Sequence, residues 1–228
     1  MTPKRAALET VYIASLAVWL GLIVMTGLMA ATVFPMMRDM EPTLGKYQAY
    51  TGEHWRIAAG RIANRGFVLS SIGEGLCLIA CVTSLVFLTV HKQLTYVAAG
   101  ARWATAGLLL MVLGYSVLVL RPRMAANVGQ YWKAAEAGDN QRAEVFAQAF
   151  NADHPTASGT LAVTAVALVV ALAVAAWTLT REAVVARAGS ATSVAGGGVA
   201  TSGAGTAKPV APASGTAAGT AGSRPASS

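Results

Sequence analysis

Four stretches of this chain, residues 11–34, 66–90, 95–120 and 157–179, are long and almost without charge. A helix rises about 1.5 Å per residue, so ~20 residues cross a hydrocarbon core of ~30 Å, and each stretch exceeds that length. Only a helix satisfies its own backbone hydrogen bonds in lipid. The pattern therefore predicts an all-α, polytopic membrane protein: four transmembrane helices in an antiparallel bundle, with partly helical loops.

The polar segments between these stretches set the organisation. Residues 1–10 form a short polar lead, and residues 11–182 the membrane domain. Pro35 predicts the end of the first helix, because proline disfavours helical geometry in the residue before it. Residues 36–65 make a polar connection whose second part, from Tyr47, has helical composition and runs toward the second span. His91-Lys92-Gln93-Leu94 is short enough to force an antiparallel hairpin. The connection over residues 121–156 opens with Pro122 and holds two amphipathic stretches, 124–135 and 140–150, parted by a turn at Gly138-Asp139-Asn140. Both long connections thus share one membrane side, and the short turn shares the other with the termini. Residues 183–228 are mostly Gly, Ala, Ser, Thr and Pro; such a tail buries too little apolar area to offset its chain entropy and is expected to be disordered.

Composition agrees with lipid as the solvent. Hydrophobic residues make up 55% of the 228 and charged ones 12%, about half the share a soluble domain carries. The net charge of +7 comes from basic residues that flank the spans, such as Lys4, Arg5, Arg61, Arg65, Lys92 and Arg181, and no groove-reading motif accompanies them. Nucleic acid is excluded as a partner on that ground. The partners expected are the lipid bilayer and either a second copy of the chain or another membrane protein. The first apolar stretch is too long for a signal peptide and lacks a small-x-small cleavage site, so it is read as a retained helix. A multi-pass protein of the cell membrane is the expected location. Lys and Arg near the spans number nine on the long-loop side and six on the other, which orients the long loops toward the cytoplasm.

Candidate chemistry centres on one carboxylate. Glu74 stands in SSIGEGLCLIAC, and at 100° per residue Ser70, Glu74, Cys77 and Cys81 share one helical face. An ionisable residue inside a span is a functional candidate and should face the bundle. Depth counting adds Thr26, Thr164 and Tyr115 to this polar intramembrane site. Arg102 is placed about 13 Å from Glu74 along the axis, beyond direct pairing, and is expected to snorkel to the short-turn interface beside Trp103. Gly100, Gly107 and Gly114 recur every seven residues and predict a close-packing face on the third span. The alternative is a copper or other metal site at Cys77 and Cys81 with the methionines around Met25–Met40, although no metal-ligand spacing appears. Phosphate-loop, dinucleotide and Ser/His/Asp signatures are missing as well, so no cofactor is expected and the chain is read as non-enzymatic. It is expected to be a structural, binding or transport-accessory protein. A small transporter or metal-handling protein is the second reading, and a membrane enzyme the third.

Trp19-Leu20-Gly21 followed by Phe34-Pro35, then Arg121-Pro122-Arg123-Met124, and finally Phe150, His154 and Ser158, resemble a known pattern. It is that of the domain-of-unknown-function 4149 membrane proteins, which are similar to eukaryotic transmembrane protein 205. The resemblance covers about residues 11–180 and implies four helices with a proline-arginine element after the third. It implies no agreed activity, and the Glu74-containing span and the long tail depart from it. By this likeness Pro35, Pro122 and an interfacial cluster of Arg121, Arg123 and His154 join Glu74 as positions of interest. Copper-resistance D membrane proteins look distantly alike in hydropathy, the one family likeness behind the metal alternative.

Overall fold

The computed structural model of the chain describes residues 2–196, all helix and connecting turns. Helix α1 spans Pro3–Met40, α2 His54–Val90, α3 Tyr96–Tyr115, α4 Arg121–Glu136 and α5 Asn140–Gly196. A 3₁₀ turn, Gly45–Tyr47, lies between α1 and α2, and a wide π-helical turn, Ser116–Leu120, joins α3 to α4. Four of these rods, Pro3–Met40, His54–Val90, Tyr96–Glu136 and Asn140–Arg181, are long and apolar enough to cross a membrane. The protein is a multi-pass membrane protein built on a helical bundle. Met1–Val185 forms one compact unit. Residues 183–196 of the expected tail continue α5 as helix, and from residue 197 the tail lies outside the described residues.

The helices are longer than the apolar pattern alone implies. Thr2 caps α1 by accepting from the Arg5 amide, and Pro3 occupies its first turn, where a missing N–H costs nothing. Pro35, expected to end this helix, lies inside it, and α1 runs on to Met40, where Glu41 takes the left-handed conformation (φ 42°). Pro155 likewise lies inside α5, which is continuous where a break was expected. Proline forfeits one backbone bond and crowds the preceding turn, but residues on both sides keep helical geometry. Pro122 is accommodated differently. It sits in the first turn of α4, directly after the wide turn, where the ladder is already shifted out of the i→i−4 register its ring would disrupt.

Two cores follow from these lengths. Within the apolar spans, Tyr12, Leu16, Trp19 and Ile23 of α1 pack with Cys77, Cys81 and Leu85 of α2, Leu109 and Leu113 of α3, and Leu168 of α5. Ala167, Ala171 and Ala175 give α5 a small face for this contact. A second core lies beyond the spans, where Tyr47 and Ile57 meet Tyr131, Ala134 and Ala135 of α4 and Ala143 of α5. Around the first core, Leu69, Leu76, Met111, Leu118 and Val166 are exposed as a lipid-facing belt.

The glycine stripe of α3 does not pack the bundle. A Cβ built on Gly100, Gly107 or Gly114 would meet nothing within 4 Å. The close approach falls on α2 instead, where a Cβ on Gly66 or Gly73 would collide with Met29 or Leu22 of α1. What α3 turns inward is Ala98, Arg102, Ala106, Leu109 and Leu113. Arg102 decides that orientation, since a buried, paired charge costs far more to expose to lipid than a glycine does.

Candidate functional site

On α2, Ser70, Glu74, Cys77 and Cys81 are all buried toward the bundle. The Ser70 hydroxyl donates to Glu74 Oε1 at 3.3 Å. Thr26 of α1 stands 2.8 Å from Ser70 Oγ and 2.7 Å from its own Leu22 carbonyl, so its single proton serves one acceptor at a time. From the first residue of α4, Arg121 turns Nη2 toward both Glu74 oxygens, each at 3.2 Å. The other nitrogen, Nη1, is buried without a hydrogen-bond partner. Thr26, Ser70, Glu74 and Arg121 therefore form one polar strand across α1, α2 and the α3–α4 junction.

Not every expected member joins. Tyr115 faces outward, 42% exposed, and Thr164 is buried with its hydroxyl returned to the Thr160 carbonyl at 2.8 Å. The interfacial cluster separates too. Arg121 turns into the bundle, while Arg123 holds Asp153 by two contacts, at 2.9 and 2.5 Å. His154 is exposed and leans on Phe150, with ring centroids 6.0 Å apart. Cys77 and Cys81 are free thiols in the core; among the described residues no group of three or more His, Cys, Asp or Glu could complete a metal site with them.

Why Arg121 meets Glu74 is a matter of register. Trp103 Nε1 donates to Thr89 Oγ1 at 3.1 Å, which sets the α2–α3 midpoint near Tyr96 rather than within His91–Leu94. Glu74 and Arg121 then lie at nearly equal distances from the turn, roughly 22 and 25 residues of helix. The wide turn before Arg121 belongs to this site as well: π-helical turns insert an extra residue into a helix and occur often at functional positions.

A second buried pair, absent from the sequence reading, lies toward the short-turn end. Arg102, fully buried rather than snorkelling, donates from Nη1 to Glu9 Oε2 at 2.7 Å and from Nη2 to Thr178 Oγ1 at 2.6 Å. Its guanidinium also stacks over the Tyr12 ring at 5.1 Å. This arrangement ties α1, α3 and α5 together. Glu9 escapes a hydropathy reading because it falls in the polar lead, whereas α1 begins six residues before it. The two pairs contrast in tightness. Glu9–Arg102 is short and shut away, while Arg121 keeps a third of its side chain exposed and a longer contact. Each guanidinium has one buried nitrogen without a hydrogen-bond partner, Nε in Arg102 and Nη1 in Arg121.

Comparison with known proteins finds no family model, no curated protein and no solved structure that matches this chain.

Proposed function

We propose that the chain is a non-enzymatic protein of the cell membrane that binds a small anionic solute or assists its passage, with Glu74 and Arg121 as the working pair. One observation carries the reading: a buried carboxylate held through one guanidinium nitrogen, while the other nitrogen stays buried and unpartnered. A buried donor without a partner is costly, and an anionic or carbonyl-bearing ligand would satisfy it. Protonation of Glu74 removes the charge that holds Arg121, so proton uptake by one member favours anion binding by the other. Glu9–Arg102, fully enclosed and tied also to Thr178, serves as the fixed clamp beside it. The likeness to the domain-of-unknown-function 4149 proteins belongs to the same proposal and adds no chemistry to it. So does the orientation: with Arg102 and Arg121 both turned into the bundle, the basic-residue balance becomes eight to five in favour of cytoplasmic long loops.

Proteoliposomes with an entrapped pH-sensitive dye test the pair. Given an acid pulse in a mixture of phosphate, sulfate and dicarboxylates, wild-type vesicles should acidify faster than protein-free ones. Glu74→Gln, checked for unchanged melting, should cut that excess to about a tenth or less, the scale expected when a proton-transferring group is lost. Equal rates for the two proteins would reduce the pair to a structural element.

A further inference from the structure

Where α2 leaves the apolar zone, its face toward α4 carries a basic groove outside the Glu74 site. Arg61, Ile62, Asn64, Arg65 and Trp132 line it, around a space of about 300 Å³. Arg61 is held in place: its Nη2 donates to the Tyr47 hydroxyl, and its guanidinium lies 5.5 Å from the Tyr47 ring and 5.2 Å from the Trp132 ring. Trp132 lies directly against this turn of α2: a Cβ on Gly60 would stand 3.7 Å from its Cζ2, an ordinary packing distance. Arg65 follows Arg61 by one helical turn, on the same face.

Neither arginine has a carboxylate partner among the described residues. The acids on and next to the same helices are taken: Glu53, which caps α2, by Arg56, Glu74 of α2 by Arg121, and Glu136 of α4 by Lys46 at 2.9 Å. The groove thus holds two uncompensated guanidinium charges and an aromatic wall, with an amide side chain at Asn64. Guanidinium groups match phosphate oxygens in geometry, and basic pockets between membrane helices accept anionic headgroups. Immediately inward along α2, Phe67, Val68, Leu69 and Ile72 are exposed, the surface on which acyl chains would lie.

We propose that the groove formed by Arg61, Asn64, Arg65 and Trp132 binds a phosphate-bearing anion at the membrane surface, the headgroup of an anionic phospholipid being the occupant its setting favours. The guanidinium groups engage the phosphate oxygens, Trp132 covers the headgroup's apolar side, and the acyl chains follow the exposed face of α2. This site is independent of the Glu74–Arg121 reading.

Native mass spectrometry of the full-length protein in mild detergent tests it, with phosphatidylglycerol and phosphatidylcholine supplied in competition. Wild type should retain phosphatidylglycerol preferentially. Arg65→Gln, which breaks no described contact, should lower that retention about fivefold, the scale of one basic residue at a membrane surface. Lys92→Gln, which removes the same charge on the short-turn side, should leave it unchanged. A parallel arm adds inorganic phosphate: displacement of the lipid at millimolar levels would support the same groove with a soluble phosphate as occupant. No preference for phosphatidylglycerol together with no phosphate binding, or retention by Arg65→Gln equal to wild type, overturns the proposal.

Discussion

At the residue scale, Arg102, fully buried, and Arg121, a third exposed, show how charge is tolerated inside this bundle. Arg102 has its carboxylate, a hydroxyl and an aromatic face, so removing one partner leaves a charge with nowhere to go. Glu9→Gln should destabilise the protein by about 3–5 kcal/mol, whereas Glu9→Leu combined with Arg102→Met should recover most of that loss. Thermal unfolding in detergent measures both; a double variant as unstable as the single one would contradict the account. Glu74 was legible from the sequence, because an acid amid small residues in an apolar run has no cheap place but the interior. Its partner was not. Depth counted from a four-residue turn misplaces the opposite helix, and the shift that brings Arg121 level depends on Trp103 meeting Thr89, a contact with no sequence signature.

At the scale of elements, the apolar blocks located every span but not its ends. Pro35 looked like a terminator and Pro155 fell in the connection before the fourth span, yet each sits within a helix long enough to absorb one missing bond. The glycines were misread for a related reason. A repeat of seven marks a face but does not say which neighbour it meets, and α3 carries both a glycine face and an arginine face, of which the arginine must be buried. Gly66 and Gly73 keep the same spacing on α2 and do the packing, against Met29 and Leu22. Gly73→Ile should therefore cost about 1–3 kcal/mol through overpacking at α1, while Gly107→Ala should change stability by less than about 0.5 kcal/mol. Melting of the two variants side by side distinguishes the faces; equal losses would mean that α3 packs through its glycines after all.

At the scale of the whole molecule, two cores in two solvents should respond differently to alkali. The lipid-facing belt holds the bundle in the bilayer, so an alkaline carbonate wash of membranes should leave the protein in the pellet. The outer core is more sensitive. There Tyr131 is 3.1 Å from the Tyr50 hydroxyl, and burial first, with Tyr50 second, pushes its phenol well above the usual tyrosine range. A group whose folded pKa is raised stabilises the fold fully below its unfolded pKa, and that stability declines as pH rises from there toward the folded pKa. Hydrogen exchange in the α4 backbone should accordingly accelerate above about pH 10, while the intramembrane segments remain protected. Recovery of the protein in the carbonate supernatant would refute the membrane fold itself.

Tyr96–Glu136 is a single rod whose halves serve these two environments, joined by the wide turn at Ser116–Leu120. Arg121 is the first residue past that joint, and Tyr131 and Trp132 follow on the same stiff segment. Twisting the outer half about its axis swings the guanidinium like a key in a lock, so whatever grips the rod above the bilayer sets how firmly the acid below is latched.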